Sequence, residues 1–262
     1  MTESASTPNQ YIEEKLATED PDFLLTRLFV EESRQPMLGA LHALRAEMRG
    51  LPLEVSDPGV ALRKVTWWLE EWQRTQDREP RHPVTKALQQ ALGEVPLPDL
   101  DGTMSAVLSL VHGQSLQDVQ ALEQLASGFA EPMARLEGLM YGVEPPRDHW
   151  LRITWVSLME DLAPLAAAGR APVPLQLLAR YQLSRDGLAA DPQRIGRLHA
   201  GLAELAPAVK QPDCSHAAVY SAVQSARMSA LAQGRVLGRW SRLWTCWRAA
   251  RRLRRAQGQV NP

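Results

Sequence analysis

Acidic residues run out well before the chain does. None follows Asp213, while nine of the 29 basic residues, all arginines, lie between Arg227 and Arg255. The 20 basic residues that remain face all 30 acidic ones, so residues 1–213 carry about −10 and the overall charge of −1 conceals a polarised chain. An acidic body of that size repels a phosphate backbone, which excludes specific nucleic-acid recognition as the partner reading. Cysteine is nearly missing: Cys214 and Cys246 form neither a disulfide framework nor a metal spacing, as expected of a reduced, cytoplasmic protein. There is no Gly-rich phosphate loop and no Gly-x-Ser-x-Gly elbow. The six histidines are scattered, and none stands one helical turn from another, so His112 and His149 read as structural residues. No uninterrupted apolar run approaches the length of a membrane span. The start, MTESASTPNQYIEEKLATEDPDF, has neither the basic opening nor the apolar core of a signal peptide.

Alternating, β-branched segments are also missing, and what is present repeats at helical spacing throughout. The chain therefore reads as all-α. Residues 1–10 read as a disordered tail, 11–250 as one helical domain, and 251–262 as a basic C-terminal tail. Asp20 before Pro21 reads as a cap with proline at the first helical position. A helix from Pro36 is expected to end at Gly50 and Pro52. Residues 61–74, ALRKVTWWLEEWQR, place Val65, Trp68, Leu69 and Trp72 on one stripe, which reads as packing. His82-Pro83-Val84 opens the next helix. A long helix over about 115–140 carries Leu122, Leu125, Phe129, Met133, Leu136 and Leu139, and a single helix is expected over 148–168.

The stretch Ser157 to Leu178, SLMEDLAPLAAAGRAPVPLQLL, orders two acids, small residues, Gly169-Arg170, two prolines and Leu-Leu-Ala-Arg. That order resembles the second aspartate motif of the squalene/phytoene synthase family. Arg34 with Ala40-Leu41-His42-Ala43-Leu44 resembles the lead-in to the family's first motif, and the Trp67-Trp68 segment with His82-Pro83-Val84 matches in the same order. The resemblance spans roughly residues 11–255. It implies the isoprenoid-synthase fold, a single bundle of long helices around a central cavity. In the family, carboxylates one helical turn apart hold magnesium, and the magnesium holds an allylic diphosphate; such positions share a helix face, and hard oxygens suit Mg²⁺.

Here the pattern is damaged. Asp161 stands on the first aspartate of the second motif, but Leu165 stands on the second, and Glu160 replaces the arginine before them. Glu160 is not expected to replace the lost ligand, because neighbours i and i+1 face apart. The aspartates of the first motif fall on Arg49, Gly50 and Leu53, which leaves one carboxylate of five. The vestigial candidates are Asp161, Glu160 and Glu47. Arg34 and Arg170 are the substrate-binding candidates that the resemblance implies. Asp161 is expected to pair with Arg170 or Arg152, and Glu47 with Arg45 or Arg49. The leading expectation is a family member without ordinary synthase chemistry, acting by binding or as an assembly factor, like the phytoene-synthase-like relatives linked to respiratory complex I assembly. It would need no cofactor. The alternatives are an active prenyl transferase using Mg²⁺ and a peripheral membrane module carrying an isoprenoid or lipid.

The second conspicuous stretch is residues 234–257, GRVLGRWSRLWTCWRAARRLRRAQ. A helical wheel gathers Val236, Leu237, Trp240, Leu243, Trp244 and Trp247 on one face, with Arg239, Arg242, Arg248 and Arg252 away from it. Residues 236–250 are expected to pack as a last core helix with a solvated basic face. Trp240, Trp244, Trp247, Arg251, Arg252, Arg254 and Arg255 are also the candidate contacts for a protein partner or an anionic membrane, met from the cytoplasmic side.

Overall fold

A computed structural model describes residues 7–55, 57–144, 146–188, 192–208 and 215–259. Among them every regular element is helical, as the 3.6-residue spacing requires. The first helix, α1 (Pro8–Glu19), begins inside the segment expected to be a tail. Thr7 accepts a hydrogen bond from the Gln10 amide and Pro8 takes the first helical position, a start signal that the polar composition masks. Ile12 and Leu16 are buried against Gly39 of the third helix. Residues 1–6 of that tail lie outside the described residues. Helix α2 (Pro21–Thr26) is capped as expected by Asp20, whose Oδ1 accepts from the Phe23 amide at 3.2 Å.

Helix α3 (Gln35–Glu54) runs through Gly50 and Pro52 instead of ending there. A proline removes one backbone donor, but Met48 and Leu51 around it are buried, and packing outweighs the lost bond. Helix α4 (Pro58–Gln76) buries Val65, Trp68 and Trp72, whereas Leu69, expected on the same stripe, is 39% exposed. His82 caps α5 (Pro83–Leu92). Helix α6 (Asp101–Val111) leads to α7 (Val119–Tyr141), whose end is closed by Gly142 at φ 64°, the left-handed turn that glycine adopts without penalty.

The helix expected over 148–168 is two helices, α8 (Arg147–Glu160) and α9 (Leu162–Ala167), with Asp161 at the joint. Pro164 has no N–H to give the carbonyl of Glu160, and the axis breaks there. Short α10 (Leu175–Arg180) precedes α11 (Pro192–Leu205), α12 (Ser215–Ala232) and α13 (Arg239–Gln259). The last is unbroken across residue 251, so residues 251–259 continue a helix and do not form a separate tail.

Helices α3 and α8 are the axis of the bundle. Every residue from His149 to Met159 is buried, the signature of a helix enclosed on all sides. Helices α1, α5, α6 and α7 surround α3, while α7, α9 and α12 surround α8; α13 lies on α12 and α2 at the edge. Cys246 and Ala250 of α13 are buried with Val219 and Val223 of α12. The tryptophans face the other way. Trp240 is 82% exposed, Trp244 57% and Trp247 48%, so the expectation that they close the core is overturned.

Candidate functional site

Asp161 lies at the α8–α9 joint, opposite the last turns of α3. Both its oxygens are taken by one guanidinium: Arg49 Nε donates to Oδ2 at 2.6 Å and Nη2 to Oδ1 at 2.7 Å. This parallel fork is the strong geometry for an arginine–carboxylate pair. Arg49 Nη2 also lies 3.4 Å from Glu160 Oε2. Glu160 and Asp161 therefore reach the same cation, although adjacent in sequence, because the helix ends between them. The expected partners of Asp161 are replaced by a residue 112 positions away. Burial alone would lower the Arg49 pKa, but the hydrogen bonds and charge of Asp161, with Glu160 and Asp20 behind it, outweigh that and raise it.

From Glu160 the charges continue across the bundle. Glu160 also accepts from Arg227 of α12, which donates to Asp22 Oδ2 at 2.6 Å. Asp22, fully buried, accepts from Arg242 of α13 at 2.9 Å through its other oxygen. Three carboxylates and three arginines thus alternate from the centre of the bundle to its edge. Burial would lower the Arg227 pKa, yet Glu160 and Asp22 hold it above the ordinary value.

A second polar cluster lies beside this chain. Asp20 accepts from Arg45 Nη2 at 2.9 Å and from the Tyr220 hydroxyl at 2.8 and 2.9 Å, and its Oδ2 is 2.9 Å from His42 Nδ1. Burial pushes the Asp20 carboxyl up, but Arg45, His42 and Tyr220 more than reverse this and hold it below the usual range. His42, His149 and His216 come from α3, α8 and α12 and share this region; burial depresses all three, His149 to about 3. Linear spacing could not show this grouping, because each histidine is brought by a different helix.

The squalene/phytoene synthase family model matches residues 16–211. The chain belongs to that family. Its fold is similar to that of a dehydrosqualene synthase crystallised in complex with ligand, at TM-score 0.67 and 12% identity over 94% of this chain and 96% of the other. A squalene synthase, HpnC from Alicyclobacillus acidocaldarius, matches at TM-score 0.57 and 17% identity over 87% of this chain and 94% of that one. Among curated proteins, none matches this sequence. The expected all-α isoprenoid-synthase bundle is therefore the observed one.

By the resemblance, Arg49 falls on a metal-binding aspartate position of the first motif, and it points at Asp161, which falls on the first aspartate of the second. Magnesium needs hard oxygen donors with free lone pairs in near-octahedral array. Asp161 has both oxygens engaged by Arg49, and Glu160 is shared between Arg49 and Arg227. Among the described residues no group of three or more His, Cys, Asp or Glu side chains is placed to hold a metal ion. The residues present do not fit the ion. A cavity of about 30 Å³ lies beside the pair, lined by Arg45, Arg49, Leu110, Phe129, Ser157 and Asp161 among others.

The remaining candidates are dispersed. Glu47 accepts from the Tyr11 hydroxyl at 2.7 Å and pairs with Lys15 at 3.4 Å, both on α1, and neither Arg45 nor Arg49 is its partner. Arg34 pairs with Glu31 and stacks over Tyr141 at 4.6 Å; it starts α3 and stands about 22 Å along the axis from Arg49. Arg170 is buried and donates to the carbonyls of Pro52 and Val55, which satisfies the end of α3. Arg152 donates to the Pro207 carbonyl at 2.8 Å. Trp240, Trp244, Trp247, Arg251, Arg252, Arg254 and Arg255 all lie on α13 at the surface.

Proposed function

We propose that this chain is a family member without the ordinary synthase chemistry, working as a binding or assembly factor. The observation that carries this is the fork from Arg49 to Asp161. A permanent cation, protonated at every accessible pH, stands in the place of an exchangeable one. It attracts the carboxylate that a metal would need. A guanidinium fixed in this way cannot leave with a product, and it offsets charge for Asp161 instead of for a departing diphosphate. The neighbouring cavity of about 30 Å³ supports the same reading. It has room for about two waters, against the several hundred Å³ of an ordinary ligand pocket.

Isothermal titration of the full chain with farnesyl diphosphate plus magnesium, with magnesium alone, and with farnesol tests the reading. The expected result is no magnesium-dependent binding of the diphosphate. Magnesium-dependent binding that Asp161→Ala abolishes would overturn it and return the chain to the prenyl transferases. Binding of farnesol alone would identify an isoprenoid-carrying protein without diphosphate chemistry.

A further inference from the structure

The outer face of α13 has no packing partner among the described residues, and its composition is specific. Trp240, Trp244 and Trp247 fall on one line at helical spacing, and Trp244 and Trp247 stack with centroids 4.8 Å apart. The same line continues into Arg251, whose guanidinium lies over the Trp247 ring at 5.1 Å. On an ideal helix Arg255 extends it further, so aromatic and cationic residues share one face about 22 Å long from Trp240 to Arg255. No carboxylate is available nearby in sequence, since none follows Asp213. The opposite face, through Cys246 and Ala250, is fixed to the bundle.

We infer that this face is a membrane-docking surface for anionic phospholipid. Tryptophan prefers the headgroup boundary, where its ring is apolar and its N–H finds water, and arginine forks onto phosphate. A straight helix at the edge of a bundle can lie flat on a plane with its inner side still packed, and no helix among the described residues is long and apolar enough to cross a membrane. The acidic remainder of the chain is repelled by the same anionic surface, so the protein is oriented with α13 down. The inference concerns a different surface from the Arg49 site and holds whether or not that site binds diphosphate.

The test is flotation of the full chain with vesicles of phosphatidylcholine alone or mixed with phosphatidylglycerol, at about 0.1 M and about 1 M salt. Binding is expected with the anionic vesicles at low salt only. The triple change Trp240→Ala, Trp244→Ala and Trp247→Ala should weaken it by about tenfold or more with an unchanged thermal melt, because these side chains are exposed. Reversing Arg251, Arg252, Arg254 and Arg255 to glutamate should weaken it by roughly a hundredfold or more. Trp240→Ala alone, at the most exposed of the three, gives a second readout if the triple variant folds poorly. Absence of flotation, or flotation that neither set of changes reduces, would overturn the inference. So would a chain that ignores vesicles but sediments as a dimer that the triple variant breaks, since the occupant would then be a second copy.

Discussion

Arg49 and Arg251 are the same residue in opposite settings. Arg49 is almost enclosed, with its charge committed to Asp161 and Glu160; Arg251 is exposed, with a tryptophan ring beneath it and no carboxylate near it in the sequence. In the interior, arginine cancels charge that the bundle itself has buried. At the edge it presents charge for something outside. Burial and the supply of carboxylates, not residue type, decide which role an arginine takes. Glu137 completes the comparison from the acidic side. It is buried with the Trp150 indole donating to it at 2.6 Å and no arginine beside it, and burial pushes its carboxyl up to about 7 despite that bond. Asp20, equally buried but paired, is held low. For Asp20 the charge of Arg45, with the contacts to His42 and Tyr220, outweighs burial; for Glu137 one indole bond does not.

The largest expected effect comes from taking the interior cation away. Arg49→Ala leaves buried Asp161 without its counter-charge, with Glu160 held by Arg227 alone beside it, and should cost about 4 kcal/mol in urea unfolding. Arg49→Met combined with Asp161→Leu should recover most of that, since removing both charges removes the desolvation penalty too; a double variant as unstable as the single would break the comparison. Glu137 gives the next effect. Its folded pKa lies above the unfolded value, so its contribution to stability is whole below about pH 4.5 and is lost as pH rises through about 7, about 3 kcal/mol in all. Glu137→Gln should remove that slope, seen as a stability difference between the two proteins that grows with pH over this window. A smaller loss, about 2 kcal/mol, is expected for Asp22→Asn, because Arg227 and Arg242 can turn partly to solvent; limited proteolysis should then release α13 first. Least of all, Trp240→Ala should change stability by less than about 0.5 kcal/mol, and a larger loss in thermal denaturation would place that ring in the core after all.

Helix periodicity made the fold legible, and the order of several short segments made the family legible. The contacts of the site were not. Asp161 stood out in the sequence, but its partner lies 112 residues away on a helix whose charge reversal reads, in isolation, as simple loss. Adjacent Glu160 and Asp161 face apart only if the helix continues, and Pro164 stops it. The tryptophans of α13 show the opposite limit. A wheel reports which residues share a face but not which face meets the bundle, and here the small residues Cys246 and Ala250 allow close approach while the bulky ones stay outside. Leu69 and Leu139, at 39% and 43% exposure, repeat that lesson on α4 and α7.

Asp20 meets its counter-charge early, from Arg45 only 25 residues on, but both cations of Asp22 come late: Arg227 reaches it from 205 residues away and Arg242 from 220. During synthesis the acidic N-terminal segment emerges long before these groups exist. Until they arrive, a carboxylate destined for full burial must remain hydrated, so α2 cannot settle in its final form. Closure of these long loops is therefore also the neutralisation of Asp22, and this part of the bundle is completed when α12 and α13 meet α2.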